Sequence, residues 1–174
     1  MIINTAISKL SYKKIAQKIL FAFLVFNSQM TLAALTVGDK LSSIEFHDQH
    51  DRLHTINEDV RLILFSSNRP ASKLVQQALE NKDASFLKHR GILTIADISE
   101  MPSVITRFIA LPKIRRSAYP QLLGRTAEKT KLFPREPQKV TLLYLNQFEV
   151  IEIVMTDSLE VIQSALEEQN KLER

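Results

Sequence analysis

The alternation of apolar and polar positions is clearest between residues 61 and 87, where a short apolar run precedes a helical repeat. Residues 62–65 are all apolar, which is typical of a strand buried on both faces. The small polar residues 66–68 suit a turn and a helix cap. Pro70 fits the first helical turn because it has no N–H group to lose there. The pattern predicts one amphipathic helix that continues to Gly91. Its apolar stripe consists of Leu74, Val75, Ala78, Leu79 and Phe86.

Shorter patterns on either side of this stretch predict further elements. Residues 44–46 and 53–56 flank a polar turn and predict an N-terminal hairpin. Residues 92–96 are apolar and rich in β-branched side chains, which predicts a second buried strand. A helix is expected next, with Pro102 in its first turn and Pro112 ending or kinking it. Its buried side is predicted to consist of Val104, Ile105, Phe108 and Ile109.

The C-terminal half is predicted to complete the sheet. We assign residues 119–123 to a short edge strand, since an edge tolerates the proline within it. Residues 126–133 are assigned to a short helix. Residues 140–145 and 148–154 form an antiparallel pair around a two-residue turn at residues 146–147.

A last helix begins at Asp157 or Ser158, both of which are suitable caps. Its apolar face consists of Leu159, Ile162, Ala165 and Leu166. Strands that alternate with helices indicate the α/β class. We therefore expect a mixed central sheet flanked by helices, with an N-terminal hairpin and a C-terminal antiparallel hairpin plus helix.

Residues 1–33 are interpreted as a secretory signal peptide, and residues 34–174 as one mature domain. Four lysines without any acid precede the apolar run at residues 19–26, and small side chains lie near Ala33. A transmembrane anchor is the alternative, but the run has eight residues. A spanning helix needs ~20 apolar residues. We therefore expect cleavage after Ala33, a periplasmic location and no membrane span in the mature chain.

Removal of the signal would change the charge of the protein. The full chain has 23 Lys and Arg against 19 Asp and Glu, and the four lysines of the signal leave 19 of each in residues 34–174. A neutral mature chain argues against a nucleic-acid partner. The chain contains no cysteine, which excludes disulfide bonds and thiol redox chemistry within it.

The order of these elements resembles the thioredoxin superfamily, in particular its peroxiredoxin-like and exported TlpA-like branches. The resemblance extends over about residues 35–168. It rests on the stretches VGDKL, SIEFHDQHDRLHTI, LILFSSNRPASK, YPQLLGRTAEKTKLFP and VTLLYLNQFEVIEI. What the resemblance implies is a thioredoxin-like domain whose redox motif would lie where the helix follows residues 62–65.

Two features of the family's chemistry are missing. Arg69 and Ser72 stand where the family has the two thiols of its Cys-x-x-Cys motif, and Val140 stands where it has a cis-proline. The resemblance therefore does not imply the family's catalytic activity for this chain.

The stretches ILTIADISEMP and IALPKIRR also resemble short exported proteobacterial proteins labelled FAD/FMN-containing dehydrogenases. The chain has three isolated glycines and no Gly-x-Gly turn, so no cofactor is expected.

The predicted N-terminal hairpin contains the one cluster with metal-ligand chemistry. Imidazole and carboxylate groups together can bind zinc or copper. His47 and His54 could face each other across the hairpin, but the spacing matches no zinc signature. A solvated polar turn is favoured over a metal site. The cluster consists of His47, Asp48, His50, Asp51 and His54.

The turn before the first helix is the candidate binding site. Backbone N–H groups of residues 68–72 are expected to be unpaired at the helix start, where the peptide dipoles favour an anion. Arg69 adds a planar fork of donors suited to carboxylate or phosphate. Asn68, Arg69 and Ser72 are therefore predicted to line an anion- or peptide-binding cleft. An exposed arginine on an ordinary turn is the alternative.

Asp97 suits either a site at the end of a strand or a helix cap.

The charges of the chain are unevenly distributed. Residues 101–139 contain nine Lys and Arg against two acids, whereas residues 140–174 contain seven acids against two cations. The basic segment includes the adjacent Arg115 and Arg116, which we add to the candidate binding residues. This segment could meet an anionic partner such as lipid headgroups or an acidic protein. Alternatively, it could pack beside the acidic C-terminal part of the chain.

Together these patterns favour an exported, non-catalytic binding or accessory protein of the cell envelope. Its expected partner is an envelope protein or a small anionic ligand. A thiol-independent enzyme, flavin- or metal-dependent, is the alternative function. A flavin would colour the purified protein, and a metal would be found by elemental analysis.

Overall fold

The computed structural model describes residues 34–168, so the predicted signal peptide lies outside the described part. The strands are β1 (Glu45–Asp48), β2 (Leu53–Thr55), β3 (Leu62–Ser66), β4 (Ile92–Asp97), β5 (Leu122–Gly124), β6 (Val140–Asn146) and β7 (Glu149–Thr156). The helices are α1 (Arg69–Ala78), α2 (Ala84–His89), α3 (Ser103–Ile105), α4 (Leu111–Ile114), α5 (Ala127–Thr130) and α6 (Leu159–Glu168), and a π turn (Thr106–Ala110) joins α3 to α4. Within residues 34–168 no helix is long and apolar enough to cross a membrane.

The seven strands form one mixed sheet in the order β2-β1-β5-β4-β3-β6-β7. β3 is central, parallel to β4 and antiparallel to β6, and all five of its residues are buried. A wholly apolar strand requires cover on both faces. One face packs against α1, α2 and α6, and the other against a cluster that includes Phe46 and Phe133. The predicted α/β class and mixed sheet are confirmed.

The single helix predicted between residues 69 and 91 is wrong, because the chain forms two helices there. α1 ends at Ala78, and Asn81 takes a left-handed conformation with φ 64°. A new cap then starts α2, since the Asp83 carboxylate accepts from the N–H of Phe86 at 2.8 Å. Gly91 follows α2, as predicted, with φ 61°. A Cβ atom at Gly91 would lie 2.3 Å from the carbonyl oxygen of Asp59, so the position also requires glycine for space.

The helix predicted after Pro102 forms, but its apolar side is not buried. Val104 is 67% exposed and Phe108 68% exposed, because no other element of the described chain packs over them. Pro112 does not end the helix. The N–H of Leu111 bonds to the carbonyl of Thr106, five residues back, and the resulting π turn accommodates the proline in a helix that continues to Ile114. We call α3, the π turn and α4 together the 103–114 segment.

β5 is an interior strand, which corrects the predicted edge position of residues 119–123. It pairs with β4 on one side and with β1 on the other. Pro120 precedes the strand, so the missing N–H of proline does not interrupt a ladder. The N-terminal hairpin supplies the additional strands, and β2 and β7 are the true edges.

The C-terminal hairpin and helix are confirmed, with a shift of one residue in the turn. The turn is formed by Gln147 and Phe148, with φ values of 47° and 70°. Both residues are left-handed, as a tight two-residue hairpin turn requires. α6 begins after Ser158, whose hydroxyl accepts from the N–H of Val161 at 3.3 Å. The expected face of α6 is buried through Ile162, Ala165 and Leu166.

Candidate functional site

The start of α1 is held by its own cap. The Asn68 side-chain oxygen accepts from the N–H of Ala71 at 3.0 Å, and the Asn68 carbonyl accepts from the N–H of Ser72 at 3.0 Å. Pro70 has no N–H, so these bonds satisfy two of the four N–H groups of residues 68–72. The expected set of unpaired donors is therefore reduced to at most those of Asn68 and Arg69. The side-chain oxygen and the carbonyl of Asn68 are therefore both engaged in hydrogen bonds that hold the turn.

Ser72 is half-buried, and its hydroxyl is bonded towards the interior of the protein. Its hydroxyl donates to the hydroxyl of Ser66 at 3.0 Å, and Ser66 is 1% exposed. Ser66 in turn donates to the carbonyl of Ile95 at 3.5 Å. Each hydroxyl therefore has an acceptor, and Ser72 is not a free nucleophile at the helix start.

Arg69 lines an open groove of about 850 Å³ that runs along α1, and Ser72 belongs to the same lining. Lys73 lies one turn further along the same helix, and Lys113 reaches the groove from α4. Glu80 is the one acid among the lining residues. Within residues 34–168, none of the three cations forms an ion pair. We call Arg69, Lys73 and Lys113 the groove cations.

Arg116 lies beside this groove, and Arg115 does not. Arg116 lines an adjoining cavity of about 630 Å³ that shares Lys113 with the groove. Arg115 instead donates to the carbonyl of Gln49 at 3.0 Å and lies 4.0 Å from the Asp51 carboxylate. The structure therefore brings Arg69, Ser72 and Arg116 to one side of α1 and places Arg115 at the hairpin turn.

Lys73 and Lys113 were missed by the sequence analysis. Lys73 follows Arg69 by four residues, and that spacing on a helix places two side chains on one face, so the signal was available. Lys113 comes from a different helix, and its approach depends on tertiary packing that has no local signal.

Asp97 is held in an ion pair at the carboxyl end of β4. Its carboxylate lies 2.8 Å from Arg135 and accepts from the N–H and hydroxyl of Ser99 at 2.9 and 2.7 Å. Burial alone would raise the pKa of Asp97, but hydrogen bonds from Ser99, Thr130 and Arg135 outweigh it and lower the pKa. The group stays ionised at neutral pH and is a weak general base. It caps no helix, which corrects that alternative.

The histidine cluster is organised around a buried carboxylate. Asp48 is fully buried and accepts from the N–H groups of His50 and Arg52, from the Arg52 guanidinium and from His54 at 3.0 Å. Burial alone would raise the pKa of Asp48, but these hydrogen bonds lower it far below its ordinary value. His54 pairs in register with Phe46, and His47 with Leu53, so the two histidines lie on opposite faces.

That arrangement does not favour a metal site. His47 and His50 are exposed, whereas Asp48 is turned inward. Among residues 34–168 no group of three potential ligands is close enough to hold a metal ion. The prediction that His47 and His54 could face each other is therefore wrong. The register offsets the two histidines by one position, so their side chains lie on opposite faces of the hairpin.

Within the described residues, the basic segment 101–139 forms no ion pair with the acidic segment that begins at residue 140. The basic segment 101–139 forms its ion pairs with Asp51, Asp97 and its own Glu136. The C-terminal acid Glu167 pairs instead with Lys82 and Arg90, which precede the basic segment. The basic segment therefore keeps cations at the surface.

No family model matches the sequence, and no curated protein matches it. Solved structures do match. Peroxidoxin BcpB from Mycobacterium tuberculosis superposes with a TM-score of 0.53 at 12% identity, covering 80% of this chain and 99% of that chain. A protein named as thiol:disulfide interchange protein DsbE, from Chlorobium tepidum, gives 0.54 at 13% identity, covering 80% and 98%. The exposed lipoprotein thioredoxin from Streptococcus pneumoniae gives 0.52 at 10% identity, covering 73% and 99%.

The chain has a thioredoxin-like fold. These superpositions confirm the fold that the sequence resemblance implied, and at such low identity they show the fold alone. They give no support to the resemblance to FAD/FMN-containing dehydrogenases. This chain has no cysteine, whereas the names of these structures describe peroxidoxin, thiol:disulfide interchange and thioredoxin proteins.

Proposed function

We propose that this chain is an exported, non-catalytic protein of the cell envelope that binds an anionic group in the groove along α1. The ligand is a small anion or an acidic peptide segment of an envelope protein. The observation that carries the proposal is the set of groove cations, which have no ion-pair partner within residues 34–168.

The geometry of α1 supports an anionic ligand. Arg69 and Lys73 follow each other by one turn, so an extended anionic group along the helix would meet both. Arg69 can offer two parallel N–H donors to a carboxylate or phosphate, and Lys113 adds a point charge from α4. The groove is open to solvent, which suits a peptide or a small anion.

The chemistry at the same place supports binding rather than turnover. Thiol redox reactions require a thiolate nucleophile, and the chain has no cysteine. Ser72 is bonded to the buried Ser66, and the Asp97 carboxylate is neutralised by Arg135. Neither Ser72 nor Asp97 is therefore placed as a free nucleophile or base.

Binding in the groove is tested by NMR titration of the protein with inorganic phosphate and with a short acidic peptide. We expect shift changes along residues 69–76 and at Lys113. Arg69→Ala is expected to weaken binding about tenfold, because it removes a charge-assisted hydrogen-bond pair.

Lys88→Ala is the matched control, since it removes one exposed cation from α2, away from the groove lining. It should leave affinity unchanged. Shift changes that spread over the whole surface, or equal losses in Arg69→Ala and Lys88→Ala, would refute the groove as the site.

Export is tested separately. The basic and apolar order of residues 1–33 supports cleavage after Ala33. N-terminal sequencing of the protein from the periplasmic fraction should begin at Ala34. Finding Met1 on protein in the cytoplasm would contradict export and leave the binding proposal standing.

A further inference from the structure

The 103–114 segment presents a row of apolar side chains to solvent. Four large residues are between 42% and 68% exposed, namely Val104, Ile105, Phe108 and Ile109. Their spacing places them on one stripe of a helix. Single exposed apolar residues are ordinary, but adjacent ones on one stripe mark an interaction surface.

The stripe is not a displaced part of the core. None of the residues of α3, the π turn or α4 is buried, so the whole segment lies on the surface of the fold. Neither core cluster includes a residue of the segment. The segment is therefore a continuous helix, and no part of residues 34–168 buries its apolar side.

The stripe lies in a basic stretch of the chain between Glu100 and Glu128. Residues 101–127 contain five Lys and Arg and no acid. The Arg107 guanidinium lies 5.6 Å from the centre of the Phe108 ring, so one cation adjoins the apolar stripe directly. Among the described residues Arg107 and Arg116 form no ion pair. Apolar side chains beside unpaired cations are complementary to the surface of an anionic bilayer.

We propose that the 103–114 segment docks the protein peripherally on an anionic lipid surface. Val104, Phe108 and Ile109 enter the boundary between headgroups and acyl chains, while Arg107 and its neighbouring cations contact lipid phosphates. A second copy of the chain would bring the same positive charges together, which opposes self-association. A bilayer can accommodate any spacing of apolar and cationic groups. A protein groove would need a shape and charge pattern that match the spacing on this segment.

This proposal is independent of the groove along α1. Lys113 belongs to both surfaces, so the test leaves it unchanged. Because the chain has no cysteine, one introduced cysteine carries a single environment-sensitive fluorophore in the full-length protein. Val104→Cys places the label on the stripe, and Val161→Cys places it on α6, where Val161 is 41% exposed. Each label reports its own surroundings, so binding through residues 1–33 does not imitate docking of the stripe.

The vesicles are phosphatidylcholine alone, or phosphatidylcholine with about one third phosphatidylglycerol to give an anionic surface. On the anionic vesicles the label at position 104 should shift to shorter wavelength and be quenched by nitroxide lipids. The label at position 161 should do neither. Adding Arg107→Ala should weaken the response about fivefold, the effect of one cation at such a surface. Adding Phe108→Ser should weaken it about tenfold or more, since a large apolar contact is lost.

Four results would overturn the proposal. The label at position 104 could remain in water on anionic vesicles, or respond no more than the label at position 161. It could respond equally with and without Phe108→Ser. Finally, a response without vesicles that grows with protein concentration would assign the stripe to a second copy of the chain.

Discussion

α1 and the 103–114 segment begin alike and lie in opposite environments. Each has a proline near its start, and each carries apolar side chains at helical spacing. In α1, Val75 is 1% exposed, whereas Val104 of the 103–114 segment is 67% exposed. The two valines differ in what covers them and not in the local pattern.

The reason for the difference lies in the neighbours. α1 follows β3 after a turn of two residues, so its stripe falls directly on the sheet and on α6. The 103–114 segment follows β4, but the N-terminal hairpin continues the sheet beyond β5, and the apolar faces of the sheet are covered by other elements. Periodicity therefore defines which side chains share a face, and the topology decides whether that face is covered.

The sharpest test of this comparison uses the same substitution at both valines. We expect Val75→Asp to lower the free energy of unfolding by about 4 kcal/mol or more, because a carboxylate would lie among apolar side chains without a partner. Val104→Asp should change it by no more than ~0.5 kcal/mol. Urea denaturation followed by circular dichroism measures both. Similar losses at the two positions would mean that the 103–114 segment is covered in solution.

Burial should also decide how much a polar side chain contributes to stability. Asp48→Asn is expected to cost about 3 kcal/mol, because it removes a buried charge that four donor groups share. Asp51→Asn is the matched control at an exposed ion pair and should cost less than about 1 kcal/mol. A loss at Asp51 as large as that at Asp48 would contradict the importance of burial.

The lowered pKa of Asp48 also predicts a pH dependence. A carboxyl group with a folded-state pKa below its unfolded-state pKa contributes its full stability above the unfolded value. That contribution is lost as the pH falls towards the folded value. We therefore expect the melting temperature of the native protein to fall below about pH 4. Calorimetry of Asp48→Asn should show a shallower fall, and an identical fall in both proteins would assign the acid sensitivity to other groups.

The smallest expected effect concerns the helix starts. Asn68→Ala removes the side-chain cap of α1 and should cost about 1 kcal/mol. Ser103→Ala, at a start with no side-chain cap, should cost no more than ~0.5 kcal/mol. Thermal melts of the two variants make the comparison, and a cost at Asn68 no larger than that at Ser103 would contradict a stabilising role for the cap of α1.

The elements with purely local signals were predictable. β3 and β6 consist mainly of apolar residues, and α1 begins where Asn68 and Pro70 indicate a cap and a first turn. The resemblance to thioredoxin-like proteins supplied the sheet architecture, because the order of weak matches was more informative than any one of them.

The rest depended on contacts between distant residues. The interior position of β5 follows from its pairing with β1, more than seventy residues earlier. Lys113 joins the groove only through packing, and Arg115 leaves the predicted site because the carbonyl of Gln49 and the Asp51 carboxylate hold it. No periodic or compositional signal within a short window contains such information.

The central position of β3 has a consequence for the order in which the chain is completed. During synthesis β3 and β4 emerge well before β6, so the apolar edge of β3 stays unpaired until residues 140–146 arrive. An unpaired apolar strand edge is a template for aggregation. We expect nascent or truncated chains that end before Val140 to be prone to aggregation and to depend on chaperones, whatever ligand the finished protein binds.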